Sequence, residues 1–194
     1  MLLCRLKKLR EGSIIENFIN VKLIFPNRSH EHEALAYKRE FIDNGEKHIP
    51  GGGGLYQSED YYDWLRKISN ASKTPPPGWV KSSTYFAFDG EKIVGTIQIR
   101  HELNESLLTI GGHIGYAVRP SERRRGCATE MLSLALAECR ALGIKKALVT
   151  CDAGNAGSAR TIIKNGGVLE NEFIEPDGNI VSRYWIETAE GGQR

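Results

Sequence analysis

The sequence predicts a mixed α/β domain with a mostly antiparallel central sheet of six to seven strands, about four flanking helices and one central βαβ crossover. Three observations predict it. Apolar residues recur at three- and four-residue steps over 126–142 and again over 155–164, the period of amphipathic helices. Short runs rich in β-branched and aromatic residues, bounded by Gly, Asp and Asn, stand before and after those helices. Between the two helical patterns lies the apolar run 146–151 (KALVTC), so strand, helix and strand follow one another at the length of a right-handed crossover, which favours parallel pairing. At 194 residues the chain is about 1.3 times the roughly 150-residue domain prior, which fits one domain over 20–187 with an arm at 1–19 and a tail at 188–194.

The elements follow in order. The arm carries Arg5, Lys7, Lys8 and Arg10 without a clean period, and partial disorder is expected there. Residues 20–25 (NVKLIF) alternate as a strand, and Asn27 or Ser29 is placed to cap a helix through Leu35, Ala36, Tyr37 and Phe41 to about 43. Gly51 to Gly54 lack the Lys-Ser or Lys-Thr of a phosphate loop and read as a flexible loop. Residues 58–68 read as a helix capped by Ser58, with Tyr61, Tyr62, Leu65 and Ile68 on one side, and the prolines 75–77 impose an extended loop. The runs 85–88 and 93–99 form a hairpin around Asp89-Gly90, and 112–118 is the next strand. After the 126–142 helix, Asn155 caps a second one over Ala159, Ile162 and Ile163. Runs 168–174 and 180–186 close the domain as a hairpin across Pro176-Asp177-Gly178.

Composition excludes several classes. With 26 Lys plus Arg against 24 Asp plus Glu, and 40% hydrophobic residues, the chain is neither disordered nor fibrous. No stretch approaches the roughly 18 apolar residues of a membrane span, and basic residues interrupt the first ten positions, so a cytoplasmic location without membrane partners is expected. Cys4, Cys127, Cys139 and Cys151 form no CxxC pair and read as reduced thiols. A net charge of +2 is too small for phosphate-driven nucleic-acid binding, despite Arg123 to Arg125.

Chemistry concentrates in HIGYAVRPSERRRGCATEML (113–132), where a strand ends, arginines follow and a small residue opens a helix. The unsatisfied N–H groups and positive dipole end of a helix N-terminus attract phosphate, and Gly126 puts no side chain in the way. A solvated basic turn is the alternative reading of the same residues.

RxxGxA at Arg123, Gly126 and Ala128, directly after a strand ending in AVRP, resembles the acyl-CoA-binding motif of the GNAT N-acetyltransferase superfamily. The KALVTC strand, Asn155, Ser158 and a helix ending KNGG resemble its second conserved block. The resemblance covers about 20–187 and is most specific over 113–167. It implies acetyl-CoA as acyl donor, no metal, and two neighbouring strands splayed around the pantetheine. It further implies that Ala117 and Val118 offer backbone partners to the pantetheine and that Arg123, Arg124, Arg125, Gly126, Cys127, Ala128 and Thr129 wrap the pyrophosphate. Asn155 and Ser158 then lie near the thiol end, although a plain helix cap accounts for Asn155 equally well.

The reaction so implied is direct attack of a free amine on the thioester in a ternary complex, the amine belonging to a small molecule or a peptide. The sequence departs from the family where many relatives place a thiolate-protonating tyrosine: that position is Ile162. Tyr116, Tyr184 and Ser158 are the remaining candidates for the acid, and an acyl-CoA-binding module without turnover is the alternative. His113 is the first candidate for the base, Glu102 the second and His101 the third. Cys127 and Cys151 read as packing. An acceptor wall is expected from Tyr56, Tyr61, Tyr62, Trp64 and Trp79 with Glu59, Asp60 and Asp63, a combination suited to a cationic amine. Oligomeric state is not legible, though dimers are frequent in similar proteins.

Overall fold

In a computed structural model of the chain, β1 (Val21–Ile24) pairs antiparallel with β2 (Ser82–Asp89), β2 with β3 (Lys92–Arg100), and β3 with β4 (Ile114–Val118). A second antiparallel sheet has the order β5 (Lys146–Asp152), β7 (Ile180–Glu187), β6 (Val168–Ile174). Among the described residues five α-helices complete the fold: α1 (Glu31–Asp43), α2 (Tyr61–Ala71), α3 (Glu105–Thr109), α4 (Cys127–Ala141) and α5 (Ala156–Lys164). The structure describes residues 19–188, so most of the expected arm, the tail from 189 and Cys4 lie outside the described residues. No helix among the described residues is long and apolar enough to cross a membrane.

Two apolar clusters hold the layers together. On one face of the four-stranded sheet, Tyr37 and Phe41 of α1 and Trp64 of α2 pack with Phe86 and Ile93. Trp64 is fully buried, and its Nε1–H donates to the Gly52 carbonyl at 2.9 Å. Truncation of such a side chain to alanine costs about 3–5 kcal/mol. Beneath the other cluster α4 buries Met131, Leu132, Ala135 and Cys139 against Ile97, Ile99, Val149 and Ile186, bridging the two sheets.

Local chemistry explains where the elements differ from expectation. Asn27 accepts from the Ser29 N–H at 2.8 Å and caps a short 3-10 turn that leads into α1. Asp60 rather than Ser58 caps α2, accepting from the Asp63 N–H at 2.7 Å. The buried stripe that follows is Tyr61, Trp64 and Ile68, and Tyr62, one position off that stripe, faces solvent. The five-residue α3, capped by Asn104, is an element the sequence pattern did not reveal. Gly51 to Gly54 form a packed loop: a Cβ on Gly51, at φ +69, would stand 2.1 Å from the Gly115 carbonyl oxygen. The chain passes there at backbone distance from β4, which only glycine allows.

The crossover strands β4 and β5 are neighbours but share no ladder. They meet where the His113 N–H donates to the Leu148 carbonyl at 2.7 Å and the Leu148 N–H donates to His113 Nδ1 at 3.0 Å. Beyond that joint they belong to separate sheets, so one edge of β4 has no strand beside it. Arg119, just past β4, is buried. Its guanidinium reaches Glu33 at 2.6 Å and Glu40 at 2.5 Å, while Glu40 also accepts from the Ser121 N–H at 2.6 Å. This ties the end of β4 to α1.

Candidate functional site

The unpaired edge of β4, the 122–126 loop, the first turn of α4 and one side of α5 enclose a cavity of about 620 Å³. That volume is typical of a small-molecule or cofactor site.

At one end stands the N-terminus of α4. Gly126 takes φ +92 at the N-cap and supplies no side-chain cap. The backbone N–H groups of Gly126 and Ala128 have no partner among the described residues, and that of Cys127 meets only its own thiol. Arg124 precedes them at φ +66, so successive N–H groups turn around a concavity of the kind that binds anions. Arg124, Arg160 and Lys164 line the cavity, and none has an acidic partner among the described residues. Arg123 lines it too, but its guanidinium is drawn aside: Nε donates to the Val118 carbonyl at 3.1 Å and Nη2 to Glu46 at 2.6 Å. Arg125 does not line the cavity. It bonds to Glu122 and lies 3.7 Å from Asp89, so its expected part in wrapping an anion is not met. Glu122 is itself buried, and its bond from Lys92 holds its carboxyl below the usual range.

Along the strand edge the bonding alternates. Arg119 N–H donates to Val94 and the Arg100 N–H to His113, so odd-numbered residues of β4 face β3 and Tyr116 and Val118 face the cavity edge. Ala117 lines the cavity, but its backbone turns to β3 and its carbonyl also accepts from the Tyr37 hydroxyl at 3.3 Å. The free backbone groups expected at Ala117 and Val118 are therefore those of Tyr116 and the Val118 N–H, the Val118 carbonyl being taken by Arg123.

Across the gap, Tyr116 Oη lies 2.8 Å from Ser158 Oγ, and both residues line the cavity. Burial pushes the Tyr116 phenol up to about 12 against the opposing effect of its bonds to Ser158 and Thr161, so it keeps its proton near neutrality. Asn155 caps α5, accepting from the Ser158 N–H at 3.0 Å, and also lines the cavity; the two roles coexist. Thr129 and Cys127 line the cavity as well. The Cys127 thiol is buried and raised by that burial, which suits packing. Ile162 is wholly buried in the core and offers the cavity nothing.

None of the three candidate bases reaches the cavity lining. His113 is buried between the sheets. Its Nδ1 accepts from Leu148, so its neutral tautomer carries the proton on Nε2 and has no free lone pair with which to act as a base. Glu102 is exposed, and His101 bonds to Ser83 Oγ at 2.9 Å. Tyr184 is core. In the expected acceptor wall, Tyr61 and Trp64 are core, Tyr62 bonds Glu31, Asp60 is a cap and Asp63 pairs with Arg66. Trp79 stands 76% exposed. Among the described residues no cluster of three or more His, Cys, Asp or Glu could hold a metal ion.

The sequence reading missed Arg160 and Lys164. Their signal was the spacing of Gly157, Arg160, Thr161 and Lys164, one face of α5, but which face meets the cavity is a tertiary fact.

A family model described as an acetyltransferase (GNAT) domain matches residues 24–168. No curated protein sequence matches the chain significantly. Among solved structures the chain is similar to the microcin C7 self-immunity acetyltransferase MccE in complex with acetyl-CoA and AMP. The two are 16% identical, with 86% of this chain and 92% of that one covered at a TM-score of 0.63. It is also similar to yncA, an acetyltransferase from Salmonella typhimurium solved with acetyl-CoA (10% identity, 89% and 96% covered, TM-score 0.61). A third such structure is an N-acetyltransferase from Staphylococcus aureus Mu50 (13% identity, 88% and 99% covered, TM-score 0.61). At these identities the likeness is one of fold.

Proposed function

The chain belongs to the GNAT acetyltransferase family, and from that premise we propose that it transfers an acetyl group from acetyl-CoA to a primary amine of a small molecule or peptide, by direct attack in a ternary complex. The observation that carries this reading is the cavity between the unpaired edge of β4 and α5, with an uncapped helix N-terminus at one end and a protonated phenol beside its strand edge.

Acetyl-CoA supplies the thioester whose acyl group is transferred. In this reading the N–H groups of Gly126, Cys127 and Ala128 hold the pyrophosphate, helped by Arg124 and the Thr129 hydroxyl. Arg123 steadies the loop through Val118 and Glu46. The free backbone groups of Tyr116 and the Val118 N–H pair with the pantetheine amides, and Asn155 and Ser158 border its thiol end. Tyr116 donates its proton to the departing thiolate, with Ser158 fixing the hydroxyl's direction, and so takes over the task that Ile162 cannot perform. The amine enters as the free base and its proton passes to water. The buried, unpaired thiols of Cys127, Cys139 and Cys151 suit a reducing compartment, so the cytoplasm is the proposed location, and a homodimer the proposed assembly.

The test is an unbiased acceptor screen with purified protein and acetyl-CoA, reading CoA release and the mass of the product. Acetylated amine at a rate above hydrolysis supports the reading. Tight acetyl-CoA binding without release for any amine or peptide supports instead the binding module that Ile162 suggests.

A further inference from the structure

We infer that the acceptor amine also carries an anionic oxygen group, a carboxylate or a phosphoryl group, and that Arg100 recognises it. The inference rests on the acetyltransferase reading and narrows its substrate class.

Arg100 ends β3 on the sheet face covered by α1 and α2, the face of Thr84, Thr96 and Gln98. It is half-buried. Nη1 donates to the carbonyls of Gly111 and Gly112 at 2.9 and 3.1 Å, and Nε and Nη2 have no partner among the described residues. Neither of those two nitrogens is sealed from solvent, since Arg183 Nε is the one buried side-chain nitrogen or oxygen without a partner among the described residues. No carboxylate among the described residues pairs with Arg100, and burial lowers its pKa, although a guanidinium stays charged. Its neighbours on the face are neutral: the Gln98 amide donates to Ser82 and Thr84 hydroxyls at 3.4 and 3.2 Å. Every other guanidinium set into the fold here has its acid, as Arg119 has Glu33 and Glu40 and Arg183 has Glu170. A cation taken partly out of water without a counter-ion is unfavourable unless a ligand provides one.

The surroundings define where that ligand group sits. A Cβ on Gly115 would lie 3.4 Å from Gly51 N and 3.9 Å from Arg100 Nη1, so at the bare Cα of Gly115 a backbone donor and the guanidinium come close to one another. Gly51 N–H has no partner among the described residues. Gly115 and Gly51 are the sequence neighbours of Tyr116 and Pro50, which line the cavity. Arg100 thus approaches β4 at the residue next in sequence to Tyr116. Of the three carboxylates expected to attract a cationic amine, two are engaged elsewhere, Asp60 as a helix cap and Asp63 with Arg66.

The experiment compares matched acceptors with the full chain. Alanine, glutamate and lysine are set against their carboxamides and O-phosphoethanolamine against ethanolamine, with CoA release referred to free-amine concentration. Wild-type protein should favour the anionic member of at least one pair by about tenfold or more in kcat/KM. Whether the amino acids or the phosphate ester responds identifies the oxyanion. Arg100→Gln should bring the ratio near one through KM, with acetyl-CoA affinity retained, and Arg100→Lys should restore part of it. If Arg100→Gln does not fold, the wild-type ratio and Arg100→Lys decide. Preference for the neutral members, a ratio unmoved by substitution, or release from no anionic member while acetyl-CoA is bound would each overturn the inference. Failure of wild-type protein to bind acetyl-CoA would overturn the acetyltransferase reading itself.

Discussion

Tyr116 Oη and Ser158 Oγ meet at 2.8 Å, one residue from β4 and the other from α5. They face each other because β4 and β5 separate beyond the His113–Leu148 joint, and that separation also leaves the backbone edge beside Tyr116 free. The proposed acid and the proposed binding edge thus come from one strand.

Tyr116→Phe removes the proton while keeping the ring. A general acid contributes typically 10²–10⁴-fold, so kcat should fall by about 10²-fold with little change in acetyl-CoA affinity. Because burial raises the phenol to about 12, the wild-type rate should show no alkaline decline below about pH 10 that the variant lacks. Steady-state kinetics across pH check both points, and a kcat within threefold of wild type would return the acid to solvent.

Gly126→Val should abolish measurable acetyl-CoA binding by calorimetry. A built Cβ at Gly126 meets only Ile19 Cδ1, at 3.7 Å, so the protein itself has room and the side chain would project where an anion must approach. The left-handed φ of +92 adds a backbone penalty of about 1–3 kcal/mol, so a modest fall in melting temperature should accompany the loss. Unchanged affinity would remove the pyrophosphate assignment.

Much of this was legible in the sequence because local and tertiary preferences agree. The α4 period, the Asn155 cap and the glycine opening α4 are properties of contiguous residues, and the structure has an α4 helix over 127–141, Asn155 as the α5 cap and Gly126 as the α4 N-cap. Where the sequence misled, the deciding contacts are distant in the chain. Trp64 looks like an acceptor aromatic until Phe86 stacks on it at 5.4 Å. Arg125 looks like its two neighbours until Glu122 and Asp89 claim it. His113 looks like a base until the Leu148 N–H takes its lone pair. α3 is too short for any period to show.

Arg119→Ala should destabilise the fold by about 3 kcal/mol, since it strips two partly buried carboxylates, Glu33 and Glu40, of their shared cation. Urea unfolding measures this. Adding Glu33→Gln and Glu40→Gln should recover part of the loss, because neutral amides no longer need the guanidinium. No recovery would mean that Arg119 acts by packing alone.

His113 makes the domain lose stability as pH falls from 6.5 toward 4, and the lowered His30 and His101 act in the same direction. Burial, and secondarily the Arg100 charge, lower the His113 pKa from 6.5 to about 4. The folded state therefore resists the proton that the unfolded chain accepts. The stabilisation is complete above pH 6.5 and is lost as pH falls toward about 4, with a slope of at most about 1.4 kcal/mol per pH unit. The depressed Glu122 carboxyl acts in the same direction but below the ordinary carboxylate range, so the two limbs separate. His113→Asn keeps an acceptor for the Leu148 N–H and removes the titration, and should flatten the upper limb in urea unfolding from pH 4.5 to 7.5. Its kcat at pH 8 should stay within a few-fold of wild type, since the imidazole holds two strands together and takes no proton from the amine. A 10²-fold loss of kcat with the fold intact would restore the base role and move the reacting amine to the His113 side of the sheet.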